Sequence, residues 1–348
     1  MSRRAATLTV ASVIVLLLAV VGSVMPVPYV ALTPGPTKNT LGTDDDGRPL
    51  ITIDGRKTYP DEGHLNFTTV TYRGGPGGRI DLFTALTGWL DGDTAVVPEE
   101  TIFPKDESQK QVEQENTRQM QNSQQSAEAA ALRELGIDVA TRVVIEDVQK
   151  DRPADGVLKP GDEITAVDGT KATSVTQIVD AMSAHDIGDT VNVTYKRAGK
   201  EHEAALKTVA DPTGERAVVG IVLADQFKIP FKIDISVGDI GGPSAGLMFS
   251  LAIVDRLTPG SLTQGKFIAG TGTITPDGEV GAIGGIQQKM IAAREAGATI
   301  FLTPADNCPD ARTARPDGLR LVRADTLHGT IQAINAINTG KGDVPGCE

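Results

Sequence analysis

The hydrophobic and polar positions of this chain change period several times, and each change predicts a different element. Residues 5–25 carry no ionisable side chain. As a helix, that run is long enough to cross roughly 30 Å of hydrocarbon. Turn-rich sequence follows, at Thr33-Pro34-Gly35-Pro36 and Asp44-Asp45-Asp46-Gly47. Leu50-Ile51-Thr52-Ile53 and the run from Leu65 through Phe67 and Val70 to Tyr72 predict short strands. Residues 80–90 have helical spacing. Residues 108–135 predict a long helix, Gln/Glu-rich at first and Ala/Leu-rich later, closing at Gly136. It has too few apolar a and d positions for a coiled coil.

Residues 141–209 predict a compact β-rich unit with one helix. Arg142-Val143-Val144-Ile145 and Glu163-Ile164-Thr165-Ala166-Val167 predict strands, and Val191, Val193 and Tyr195 alternate as a third. The helix has a visible start. Ser174-Val175-Thr176-Gln177 fits a capping box, and Val175, Ile178, Val179 and Met182 follow at one-face spacing.

Residues 211–348 follow an α/β pattern. Strands are predicted at 218–223, 232–237, 267–275 and 299–302, and helices at 243–251 and 286–296.

Composition narrows the chemistry. The net charge of −12 argues against a nucleic-acid partner, which needs a basic face. The four histidines are scattered, and there is no CxxC or HExxH spacing, so neither metal nor cofactor is expected. The two cysteines, Cys308 and Cys347, either close a disulfide or remain free thiols. Arg3 and Arg4 before the apolar run predict an N-terminus inside and the rest of the chain outside. A cleaved signal peptide is the rival reading. Its apolar core would be shorter, about 7–15 residues, and no A-x-A site follows this one.

The candidate chemistry lies in Gly241-Gly242-Pro243-Ser244-Ala245-Gly246 and in Lys289. Gly242 and Pro243 permit a sharp turn into a helix, which would place Ser244 among unpaired N–H groups at the positive end of the helix dipole. Ala245 leaves room for a substrate backbone. Lys289 has Ile286 at i−3 and Ala293 at i+4, so it lies toward an apolar face. An amine removed from water loses proton affinity, and a neutral lysine can take a serine proton.

Two resemblances organise these pieces. The run Gly156-Val157-Leu158-Lys159-Pro160-Gly161-Asp162-Glu163-Ile164, with Val167-Asp168-Gly169 and the helix after it, resembles a PDZ domain of the bacterial protease-associated type. Such domains take C-terminal tails as an added strand. The carboxylate-capturing loop would fall near residues 138–143, which lack a glycine.

Gly242-Pro243-Ser244-Ala245-Gly246, then Thr271-Gly272-Thr273-Ile274-Thr275, then Gly284-Gly285-Ile286-Gln287-Gln288-Lys289 resemble the motifs of Lon-type serine–lysine peptidases, in the same order. That resemblance makes Ser244 the nucleophile, Lys289 the general base and Thr271 the residue that orients the lysine. Gly242, Pro243 and Ala245 form the oxyanion turn. The family often carries an acidic residue three positions before the nucleophile, where this chain has Gly241, with Asp239 two residues further back. No segment resembles the AAA+ ATPase half of Lon. Gly260 to Lys266 has P-loop spacing but is followed by Phe267 and an apolar strand, and it reads as a turn.

The complete order resembles membrane-anchored PDZ–Lon proteases of Gram-positive bacteria. The implied fold is α+β: a transmembrane anchor (1–32), an N-terminal β segment and long helix (33–135) packing with the peptidase domain (211–348), and an inserted PDZ domain (141–209). The implied function is ATP-independent endopeptidase action on unfolded or tail-tagged extracytoplasmic proteins, by a single-pass, oligomeric membrane protein. The alternatives are a non-catalytic PDZ adaptor and a serine–lysine hydrolase of small esters or amides.

Overall fold

The structure is a computed structural model that describes residues 3–347 apart from Asp45, Asp61, Lys105 and Asp106. Asp45 of the expected 44–47 turn, and Met1 and Ser2 of the N-terminal stub, lie outside the described residues. The chain forms two compact units. One contains the chain up to Ile137 and again from Phe231; the other is Asp138–Pro230.

Among the described residues, the main sheet of the first unit has six strands. Their order is Arg320–Ala324, Ile300–Pro304, Phe267–Gly270, His64–Arg73, Tyr29–Asn39 and Ala95–Pro98. The first four are parallel, and the last two pairings are antiparallel. Strand alternation sends Ile268, Leu302 and Val322 into one core with Ala127, Ala131, Leu247, Phe249, Ile253 and Ile334. Ala269, Phe301 and Leu321 point the other way, into a second core with Ile286, Met290 and Ala293. Both faces are therefore covered by helices, as a parallel sheet requires.

The long helix, Gln109–Glu134, is started by a complete capping box between Ser108 and Gln111. Its polar first half is largely exposed. Its alanine-rich second half packs on helix Gly246–Leu257, which is buried from Gly246 to Asp255. The small alanines permit close approach, and Ser250 donates to the Ala127 carbonyl across the contact (3.3 Å). A side chain at Gly246 would lie 2.7 Å from Ile274.

Three expectations are corrected. Thr33-Pro34-Gly35-Pro36 is not a turn but part of strand Tyr29–Asn39, with a register shift between Pro34 and Thr37. Proline fits a strand at such a bulge, and Gly35 lies too close to Thr69 for any side chain. Residues 211–230 do not join the peptidase segment. Ile221–Lys228 pairs antiparallel with Ala140–Val148 along its whole length, which holds it in the second unit. Finally, Gln177 does not close the box on Ser174. Ser174 accepts from the Gln177 N–H, but the Gln177 side chain accepts from the Thr173 N–H (2.8 Å), one residue earlier.

The second unit has a sheet ordered Lys200–Lys207, Thr190–Arg197, Glu163–Val167, Ala140–Val148 and Ile221–Lys228. Helix Val175–Met182 closes its core through Ile178, against Ile145, Ile164, Val191 and Val193. The buried Asp162 carboxylate accepts two bonds from the Arg197 guanidinium (2.7 and 2.6 Å) and one from the Lys159 N–H, fixing the turn.

At the other end of the chain, Arg3–Val24 is one helix, long and apolar enough to cross a membrane by length and composition. Cys308 and Cys347 are disulfide-bonded, which ties the C-terminal tail down across a separation of 39 residues. Closing a loop of that size stabilises by about 4 kcal/mol in the chain-entropy model. The Cys308→Ser/Cys347→Ser double variant should lose about that much, measured by chemical denaturation. An unchanged midpoint would show that the unfolded chain gains nothing from the release.

Candidate active site

The segment from Asp239 to Ala245 crosses over the long helix before entering helix Gly246–Leu257. Gly242 is left-handed (φ 90°), and its N–H donates to the Asn116 carbonyl (2.9 Å). Ser123 donates to the Pro243 carbonyl (2.9 Å). A side chain at Gly241 would lie 2.7 Å from Asn116, which explains why this chain has no acidic residue there. Asp239 lines the same cleft as Ser244. Asn116 and Ser123 were not anticipated. They lie in the Gln/Glu-rich part of that helix, and only their contact with the serine turn reveals them.

The helix begins at Gly246 with Ala245 as its N-cap, not at Pro243. Its start is displaced because the Ser244 carbonyl is already engaged. It accepts from the Gly272 N–H (2.8 Å) and from the Thr271 hydroxyl (3.0 Å). Among the described residues, neither the Ser244 N–H nor the Ala245 N–H has an acceptor. Gly242 therefore shapes the turn, with its N–H committed elsewhere. Pro243 has no N–H to offer, and the free donors are those of Ser244 and Ala245.

Lys289 comes from the other side of the sheet. Its helix, Ile286–Glu295, starts at Gly285, whose left-handed backbone (φ 68°) and closeness to Val70 (2.7 Å from an added Cβ) both demand glycine. Met290 and Ala293 pack into the second core. That packing leaves Lys289 3% exposed, with Nζ 2.7 Å from Ser244 Oγ and 3.0 Å from Thr271 Oγ1. Thr271 is fully buried. Burial holds the lysine amine far below its ordinary range, down to about 7.

The hydroxyl of Thr271 has one proton, and the Ser244 carbonyl takes it. Toward Lys289 it can then only accept. This directs one N–H of a neutral amine at Thr271 and leaves its lone pair free to turn toward Ser244 Oγ, 2.7 Å away. Ser244 and Lys289 open onto a cleft of about 1300 Å³, lined by Val70, Met120, Ile235, Val237 and Asp239 among others. Among the described residues, no His/Cys/Asp/Glu group could hold a metal.

Two families match parts of the chain, with bounds that differ from those of the two compact units. Residues 225–332, which include Ser244, Thr271 and Lys289, match the Lon protease (S16) C-terminal proteolytic domain. Residues 112–208 match the PDZ domain. The chain is 42% identical over 71 residues to the Lon protease of Roseiflexus castenholzii, covering 20% of this chain and 9% of that one. It is 42% identical over 86 residues to the serine protease Do-like HtrA of Lactococcus lactis subsp. lactis, covering 24% and 21%. The solved PDZ domain of the SdrC-like protein from Listeria monocytogenes is 36% identical, covering 23% of this chain and 85% of that one, with a TM-score of 0.22. The chain spans about a tenth to a fifth of the length of these curated relatives. It carries a PDZ domain and a Lon-type proteolytic domain.

The lysine sets a pH dependence with a definite sign. Unfolded, the amine titrates near its ordinary 10.5; folded, near 7. Between those values the unfolded state holds a proton that the native state lacks, so stability falls as pH is lowered toward 7. Lys289→Met removes that penalty. Its melting temperature should exceed that of wild type by a margin that widens from pH 10 to pH 7. In wild type, the rate of phosphonylation of Ser244 by a serine-directed phosphonate should rise with pH through about 7. A flat rate from pH 5 to 9 would contradict a neutral lysine as base.

Proposed function

We propose that this protein is a membrane-anchored serine endopeptidase that works without ATP. The observation that carries the reading is the buried Lys289 amine, 2.7 Å from Ser244 Oγ and oriented by Thr271. Ser244 Oγ attacks the scissile carbonyl carbon while Lys289 Nζ takes its proton. The oxyanion that forms is met by the free N–H groups of Ser244 and Ala245 at the start of helix Gly246–Leu257, where the helix dipole adds to their pull. Lys289 then returns the proton to the leaving amine, which departs and leaves an acyl ester on Ser244. Water, deprotonated by the same amine, attacks the ester carbonyl, and the proton passes to Ser244 Oγ as the carboxylic acid product leaves.

The cleft at Ser244 takes an extended polypeptide, and the steps above consume no nucleotide. Substrates are thus unfolded or tail-tagged proteins, with the PDZ unit recruiting them through C-terminal tails by strand addition. Helix Arg3–Val24 spans the membrane once. Arg3 and Arg4 keep the N-terminus in the cytoplasm and place both domains outside.

Mass spectrometry of peptides released from an unfolded polypeptide tests this directly. Ser244→Ala and Lys289→Ala should each lose about a thousandfold or more of cleavage, and Thr271→Val about tenfold to a hundredfold. Equal cleavage by Ser244→Ala would exclude the dyad. Acylation of wild type by small esters with no polypeptide cut would identify a small-molecule hydrolase instead.

A further inference from the structure

Helix Leu82–Leu90 has an apolar face turned to solvent. Asp81 caps its start by accepting from the Phe83 and Thr84 N–H groups. Ala85 and Gly88 are buried beneath it, and Gly88 leaves room for Val96. A small satellite core of Val27, Ala31, Ile80 and Ala85 holds it to the sheet edge. Phe83, Leu86 and Leu90, at i, i+3 and i+7, lie on the outward face with Trp89 beside them. Leu90 is 89% exposed and Trp89 52%. From Leu82 to Leu90 there is no ionisable side chain. A contiguous exposed apolar face of this kind marks an interaction site.

The location of the helix identifies its partner. The Leu82 N–H donates to the Met25 carbonyl (3.2 Å), and Pro26–Val27 pairs with Ile80–Asp81. The Phe83 ring lies against Gly22, 2.7 Å from where a Cβ would stand, in the last turn of helix Arg3–Val24. At its other end, Trp89 makes an edge contact with Tyr29 (5.4 Å between centroids) and donates from Nε1 to the Val96 carbonyl (3.2 Å). Both ends are thus tied to the few residues that follow the apolar helix. A helix of 22 residues rises about 33 Å, close to the roughly 30 Å of hydrocarbon it must span. Its last turn therefore lies at the boundary, and so does what packs on it. A half-exposed tryptophan with its N–H satisfied suits that zone.

We propose that helix Leu82–Leu90 is an interfacial membrane-binding element, embedding Phe83, Leu86, Trp89 and Leu90 in the outer leaflet beside the span. This rests on the reading of Arg3–Val24 as a transmembrane helix. The first unit is then attached to the bilayer at two points, and its orientation to the surface is fixed rather than set by a single linker. With no lysine or arginine on the helix and acidic Asp81 and Asp91 flanking it, the contact is apolar and needs no anionic lipid.

Trp89 is the sole tryptophan, so its fluorescence reports on the patch alone. The full chain would be placed in phosphatidylcholine nanodiscs whose lipids carry bromine near either end of the acyl chain. Shallow bromine should quench Trp89 by about twofold, and deep bromine less, as for a ring at the interface. Leu86→Glu/Leu90→Glu, which alters only exposed positions, should remove at least half of that quenching. A second protein, Trp89→Phe with Leu16→Trp, reports on the span itself. If Leu16→Trp is quenched by deep bromine while Trp89 is quenched by neither lipid, the interfacial helix is refuted and the span stands. If neither probe is quenched, the span fails and the interfacial helix with it. A Trp89 blue shift that grows with protein concentration, without bromine quenching, would assign the patch to a second copy and overturn the proposal.

Discussion

One constraint governs the site: an amine is buried with two hydroxyls for company and no counter-charge. Among the described residues, no carboxylate is bonded to Lys289 Nζ, and burial alone accounts for its lowered proton affinity. A paired carboxylate would hold the proton on the lysine and end its use as a base. The fold therefore has to deliver Lys289 into an enclosed place while keeping acids at a distance. It does so by drawing the serine from the turn ahead of helix Gly246–Leu257 in one core and the lysine from helix Ile286–Glu295 in the other, with Thr271 at the strand end between them.

The long helix Gln109–Glu134 is the support on which this depends. Its alanine-rich half is pressed against helix Gly246–Leu257, while Asn116 and Ser123 hold the turn of Gly242 and Pro243. Polypeptide from before the Asp138–Pro230 unit thus fixes a serine from after it. Stability spent on a buried, uncompensated lysine is offset by the two large cores and by the disulfide that secures the C-terminus.

Much of this was legible in the sequence, for physical reasons. The Pro243-Ser244 turn, the left-handed Gly285 and Thr271 of the second segment are positions where local geometry admits few residues, so they leave short, recognisable patterns. Strand 64–73 and the long helix showed through their periods. What escaped lacked a local signature. Strand Tyr29–Asn39 is disguised by its Pro-Gly-Pro bulge, and Ala95–Pro98 is too short to show a period. Ile221–Lys228 carries a strand pattern that says nothing of which sheet it joins; only its pairing with Ala140–Val148 decides that. Asn116 and Ser123 look like any polar residues on a solvated helix. Their role arises from a contact across more than a hundred positions of chain.

The charge state of Lys289 is the point on which the account turns. Carbon-13 NMR of protein labelled at lysine Cε, with Lys289→Met to assign the signal, would read it directly. One lysine resonance should titrate near pH 7 and be absent in the variant. A Lys289 signal that stays in its protonated position past pH 9 would mean that the amine is charged at rest, and the dyad could not work as described.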